Sequence, residues 1–162
     1  MVVKSNYVNL EQLDLGYLAL FLGQRVNELI RDRLMRAGFK NVRESHGYVL
    51  QHLIEGERSI TALARRMGVT QQAASKTIAE MMRLGVLEAN PAKDRRAKVI
   101  GISKRGWESI RFSRMARVQI NRRLATIVGV QSYQEMKRDL IRCLTALGGV
   151  ERIRSRRVRE PR

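Results

Sequence analysis

A mainly α-helical fold carrying one β-hairpin is what the 162-residue sequence predicts, on three observations. Apolar residues recur at three- to five-residue steps over proline-free stretches, the spacing of one face of a helix. Ser, Thr, Asn or Asp stands before most of these stretches and glycine after them, as helix caps require. Between Gly85 and Ser103 the pattern changes to two short, β-branched runs around a polar tip. With 44% apolar residues the chain can bury the core of one domain. Its single cysteine excludes an internal disulfide framework, and two histidines with that cysteine cannot close a four-ligand zinc site without carboxylates. No uncharged run exceeds about ten residues, half of the roughly 20 that span a bilayer. Leu15–Leu22 is apolar enough for a signal-peptide core, but Glu11 and Asp14 precede it where a positive region belongs. A cytoplasmic protein with no membrane partner is therefore expected.

The first helix spans Asp14 to Ala37, with Leu15, Leu18, Leu22, Val26, Leu29 and Leu34 as its apolar stripe and Gly38 ending it. Asn41 and Glu44 have capping-box spacing and start a second helix that reaches about Leu53, before Gly56 breaks it. Ser59 caps a short third helix, Ile60 to Met67, closed by Gly68. Thr70 caps the fourth, which runs to Leu84 and stops at Gly85. Val86–Ala89 and Ala97–Ile102 read as the strands of a hairpin whose tip, Asn90 to Arg96, holds Pro91 and a cluster of charges. Ser103 opens a fifth helix through Trp107, Ile110, Met115, Val118 and Leu124 to about Val128. A capping box from Ser132 to Glu135 starts the last helix, whose stripe is Tyr133, Met136, Leu140, Cys143 and Leu147, with Cys143 expected as buried packing. Gly148-Gly149 ends it, and the basic tail 149–162 is expected to be disordered.

The net charge of +17 is unevenly placed. Residues 1–55 carry seven basic against six acidic side chains, and residues 56–111 twelve against five. Residues 112–151 carry seven against three, and the last eleven residues six arginines against Glu160. Positive charge clustered in a middle segment and a tail attracts polyanions, which fits nucleic acid better than a small substrate.

Two short helices joined by Gly68-Val69-Thr70 and followed at once by a basic hairpin make a winged helix-turn-helix arrangement. Glycine permits the sharp reversal, Val69 anchors it, and Thr70 caps the second helix. At 100° per residue, Ala74, Ile78, Met81, Met82 and Gly85 of that helix fall on the packing side. Gln72, Lys76, Ala79, Glu80 and Arg83 fall outward, flanked by Ser75 and Ala73; Gln71 lies nearer the core side, but its place in the first turn can still expose it. Glutamine can pair with adenine and lysine with guanine in the major groove, and the N-terminal residues of a recognition helix do this reading. At the hairpin tip Arg95 and Arg96 are suited to a narrow minor groove, with Asp94 able to orient one guanidinium. Arg65, Arg66, Lys98 and Lys104 are phosphate-contact candidates that add affinity without sequence information.

From Ser59 to Gly106 the sequence closely resembles the MarR family (multiple antibiotic resistance regulators). The resemblance lies in Leu63-Ala64, the Gly-Val-Thr turn, the Leu-Gly-Val-Leu ending, the wing Asp-Arg-Arg-Ala-Lys and the closing Ile-Ser-Lys-Arg-Gly. The order and lengths of the flanking helices extend it to roughly residues 10–148. The resemblance implies a homodimeric, DNA-binding transcriptional regulator, most often a repressor, on a pseudo-palindromic operator. It places DNA contacts at Gln71, Gln72, Ser75, Lys76, Arg95 and Arg96, with Asp94 in support. A single domain over 1–162 is then expected, with dimerisation helices at 10–40 and 103–148 and the winged helix-turn-helix lobe at 41–102. The arginine tail is not part of the family pattern.

The outer helices exceed what a winged-helix module of about 50 residues can cover, so their apolar stripes call for a second copy. Tyr17, Phe21, His46, Tyr48 and Trp107 are the residues expected to line a cleft between the dimer helices and the lobe, each weighed against plain core packing. The resemblance implies a small phenolic or otherwise anionic effector there. Glu44 and His46 lie two apart on a helix and point about 200° apart, so no metal site is expected. Phosphate-loop, nucleophile–histidine and paired-carboxylate motifs are missing from the sequence, so neither an enzyme nor a cofactor is expected. Two other readings stay open: a sequence-indifferent architectural nucleic-acid-binding protein, and a protein-interaction module whose basic wing serves a partner.

Overall fold

The computed structural model describes residues 8–56, 59–91 and 98–155. A 3-10 turn at Leu10–Gln12 precedes helices α1 (Leu15–Arg36), α2 (Glu44–Ile54), α3 (Ile60–Met67) and α4 (Gln71–Arg83). Strands β1 (Leu87–Pro91) and β2 (Lys98–Ile102) follow, then helices α5 (Lys104–Val128), α6 (Val130–Ala146) and α7 (Val150–Ser155). The expected order of four helices, hairpin and two helices is present, with the 3-10 turn and α7 added at the ends.

Helix α1 starts as its sequence dictates, with Asp14 accepting from Tyr17 N–H at 2.9 Å. Other boundaries differ from expectation. Asn41 does not cap α2; it sits at φ +61°, a left-handed conformation that asparagine tolerates. The N-cap is Arg43, whose N–H donates to His46 Nδ1 at 3.2 Å. The Ser132–Glu135 box is not used either. Helix α6 begins at Val130 directly after Gly129, so both residues lie inside it, and Glu135 accepts from Gln131 Nε2 at 2.6 Å. The tail is helical at its start, because Gly149 N–H closes back on Leu144 O at 2.7 Å and Val150–Ser155 contains no helix breaker. Residues 156–162 lie outside the described residues.

Among the described residues the core forms in two clusters. The larger joins α2, α3, α4, the hairpin and the start of α5 through Val49, Leu53, Leu63, Met81, Ile100 and Ile110, among others. The smaller packs Ile30, Leu34 and Phe39 against Ala116 and Ile120 in the middle of α5. Each fully buried leucine or isoleucine contributes about 2 kcal/mol, so the segment from α2 to β2 carries most of a domain's core by itself. Arg105 ties the clusters together, with Nη2 donating to Gly38 O at 2.7 Å and its guanidinium 5.0 Å from the centre of the Phe39 ring.

Helix α6 buries none of its residues, and α1 buries only Ile30 and Leu34. Leu15, Leu18, Phe21, Met136, Leu140 and Ile141 are all exposed. Cys143 is exposed with them, which corrects the expectation of buried packing. The spacing identified an apolar stripe correctly, but that stripe faces away from the chain's own core. Among the described residues no helix is long and apolar enough to cross a membrane.

Candidate nucleic-acid interface

The turn between α3 and α4 is built from its capping residues. Ser59 Oγ accepts from Ala62 N–H at 3.1 Å to start α3. Gly68, at φ +66°, ends α3 in the left-handed conformation, while Val69 N–H donates to Ala64 O at 3.1 Å. Val69 is half-buried against the larger cluster, and Thr70 Oγ1 accepts from Ala73 N–H at 3.2 Å to start α4. Ala74, Ile78 and Met81 are buried and fix the rotation of α4 about its axis. That rotation turns Gln71, Gln72, Ala73, Lys76, Ala79 and Arg83 to solvent and leaves Ser75 half-buried at their edge. Arg65 and Arg66, on the last turn of α3, are exposed.

The hairpin is an antiparallel ladder from Leu87↔Ile102 to Pro91↔Lys98. Asp94, Arg95 and Arg96 lie outside the described residues, and of Lys98 only the backbone is described, at the last rung. The base of the hairpin is clamped to α5. Ser103 Oγ donates to Gly85 O at 2.6 Å and accepts from Gly106 N–H at 3.0 Å. Gly106 lies so close that a Cβ there would stand 2.2 Å from Val86 O and 2.7 Å from Ile102 Cγ2. The start of α5 therefore fixes where the hairpin leaves the lobe.

One residue of α4 departs from the reading by helical angle. Glu80, assigned to the outward face, is half-buried and turned toward α2. Its Oε1 lies 2.9 Å from Arg43 Nη2 and 3.9 Å from His46 Nε2. The helical wheel cannot show this, because the neighbour that claims Glu80 comes from the N-terminus of another helix. His46 is 1% exposed. Burial holds its imidazole below the usual 6.5, the Glu80 carboxylate opposes that shift, and the Arg43 guanidinium reinforces it. Since Nδ1 accepts from Arg43 N–H, the neutral ring carries its proton on Nε2, facing Glu80.

Residues 41–97 match the family model described as MarR family. Proteins of the MarR family are transcription regulators, not enzymes. Solved structures agree in fold. A MepR–DNA complex from S. aureus superposes with a TM-score of 0.66 at 17% identity, covering 82% of this chain and 98% of that one. YusO from Bacillus subtilis gives 0.66 at 17% identity, covering 82% and 92%. MarR of E. coli in its apo form gives 0.59 at 15% identity, covering 82% and 98%. No curated protein matches the chain. The match to the MarR family model thus covers α2 to β1, and the likeness in fold to these structures extends over the outer helices.

The five residues expected around an effector do not share a cavity among those described. Tyr17 and Phe21 pair with each other on exposed α1, ring centres 5.8 Å apart. His46 is inside the lobe and Tyr48 is half-buried on α2. Trp107, half-exposed, lies in a groove along α5 with Arg111, Met115 and Val118. A different cavity, of about 100 Å³, lies where α1, α2 and α5 meet. Ile30, Leu34, Val42 and Leu50 wall it, and Arg31, Arg43 and Arg117 line it with Glu44, Ser109 and Ser113. Local sequence carries no signal for it, since the three arginines come from α1, the following turn and α5. Among the described residues no group of three His, Cys, Asp or Glu side chains is placed to hold a metal ion.

Proposed function

We propose that the chain is a sequence-specific DNA-binding transcription regulator that acts as a homodimer on a pseudo-palindromic operator, and a ligand-responsive repressor. The observation that carries this reading is the exposed face of α4, where Gln71, Gln72 and Lys76 project beside a basic hairpin clamped at its base. Those side chains suit base edges in the major groove, while Arg65, Arg66 and Lys98 suit phosphates and Arg95 and Arg96, supported by Asp94, suit the minor groove. A similar fold in the MepR structure is bound to DNA, and another MepR structure holds ethidium. The exposed stripes of α1 and α6 supply surface for a second copy, in keeping with dimerisation through 10–40 and 103–148 around the lobe at 41–102. The cavity at the junction of α1, α2 and α5, with its apolar walls and three arginines, suits a small anionic effector.

The test is selection of duplexes from a random pool, followed by competition of the selected sequence against random duplex across a salt series. A pseudo-palindrome with half-sites about one helical turn apart is expected. Gln72→Ala or Lys76→Ala should relax preference at one base pair in each half-site, by about 1–3 kcal/mol. Arg96→Ala should weaken all sequences alike and flatten the salt slope. Equal affinity for selected and random duplex at every salt concentration would identify an architectural, sequence-indifferent binder instead.

A further inference from the structure

His46 stands where α2 meets the recognition helix, buried and out of reach of any duplex. Its Nδ1 accepts from Arg43 N–H at 3.2 Å and so holds the first turn of α2. Its Nε2 is buried without a hydrogen-bond partner among the described residues, and Glu80 Oε1 of α4 lies 3.9 Å away. The same oxygen is 2.9 Å from Arg43 Nη2. One carboxylate on the recognition helix is thus shared between a permanent cation and a titratable ring. We propose that His46 is a positioning residue for α4: its neutral ring leaves Glu80 to Arg43, and a second proton on the ring draws Glu80 away and opens the contact between α2 and α4.

The geometry makes the two states exclusive. A ring protonated on both nitrogens has no acceptor left, so the cap bond to Arg43 N–H turns into a repulsion. Its Nε2–H then carries charge toward Glu80 where water is excluded and the attraction is strong. At 3.9 Å that pair is too long for a hydrogen bond, so ring or helix must move to close it. Arg43 yields readily, because its side chain is 68% exposed and an ion pair with so exposed a partner is weak. The charged groups acting on the ring are Glu80 from α4 and Arg43 from its own cap. Glu44, beside the cap, accepts instead from Asn27 Nδ2 of α1 at 3.1 Å. Among the described residues no charge from α3 or β2, which also pack on α2, acts on it. Burial holds the ring's value below 6.5, so the release of α4 belongs to acid pH and lowers DNA affinity there. Ordinary titration acts in the opposite sense, since added positive charge strengthens binding to a polyanion.

The consequence for DNA rests on the regulator reading, so one arm of the test leaves DNA out. In the DNA-free wild type, nuclear magnetic resonance with labelled histidine should show the His46 ring titrating below pH 6.5, with the Glu80 backbone amide moving at the same midpoint. In Glu80→Gln the His46 midpoint should fall, because the carboxylate that favours the charged ring is gone. In the second arm, fluorescence anisotropy follows the selected operator at constant ionic strength from about pH 7.5 to 5.5. The wild-type Kd should rise about five- to tenfold over that range. His46→Asn, which keeps an acceptor for Arg43 N–H, and Glu80→Gln should both lack that rise. His52, the chain's other histidine, is present in all three proteins, so its titration cancels in the comparison. A Glu80 amide that stays in place while the ring titrates, or a wild-type profile parallel to that of His46→Asn, would overturn the proposal. If the two midpoints coincide and no duplex is bound at any pH, the link from His46 to α4 stands and the regulator reading falls.

Discussion

His46 is a buried imidazole whose Nδ1 is committed to an N-cap and whose Nε2 faces Glu80. Neutrality is the condition for the first, whereas the Glu80 carboxylate favours the charged ring. Protonating Nδ1 would replace an accepted hydrogen bond with a repulsion against Arg43 N–H, inside a site that burial already makes unfavourable for charge. The sign of the pH effect follows. Burial lowers the folded-state value below 6.5, so the unfolded chain binds more protons wherever the two differ. The stability that neutral His46 confers is present above that pH and is lost as pH falls below it. Urea unfolding between about pH 7 and 5 should show a steeper loss of stability in the wild type than in His46→Asn, whose side-chain oxygen can still accept from Arg43 N–H. Each unit of difference between folded and unfolded values is worth about 1.4 kcal/mol. Parallel pH profiles for the two proteins would refute this role.

The junction of β2 and α5 shows how one residue controls an element. Ser103 and Gly106 bring the first turn of α5 against Val86 and the end of α4, and only a residue without Cβ fits at Gly106. Gly106→Ala should cost about 1–3 kcal/mol in chemical denaturation, because backbone at Val86 must shift to admit the methyl group. Gly47→Ala, at a helical site with nothing within 4 Å of the added atom, should be neutral or slightly stabilising and serves as the control. The same segment shows what was legible in the sequence. The caps at Ser59, Thr70 and Ser103 and the glycine at 68 are local signals, and each acts as its residue type dictates. So is the outward placement of Gln72 and Lys76, which follows from the burial of Ala74, Ile78 and Met81. Glu80 and the arginines of the cavity were not legible, because their partners come from elements distant in the chain. Asn41 and Ser132 misled for a related reason: the capping spacing was present, but the turns around Asn41 and Gly129 set different starting points.

At the scale of the molecule, the two core clusters divide the stabilising contacts from the unfinished ones. The larger cluster closes over α2, α3, α4 and the hairpin, whereas α6 and the first half of α1 leave Leu18, Phe21, Leu140 and Ile141 in water. An apolar surface of this extent is a standing drive to associate, and the proposed homodimer would answer it with the same stripes in symmetric arrangement. In the proposed function dimerisation and DNA reading fall to different parts of the chain, so mutation should separate them. Leu18→Glu combined with Leu140→Glu should convert the proposed dimer to a monomer in analytical ultracentrifugation. The thermal transition of the lobe should persist, since neither residue belongs to its core. Operator affinity should fall by about 100-fold or more, because the second half-site is no longer delivered at high effective concentration. An isolated half-site should be bound as well by the double variant as by the wild type. A double variant that remains dimeric would show that these stripes are not the interface. A monomer that keeps full operator affinity would show that one lobe suffices and that the second half-site adds nothing.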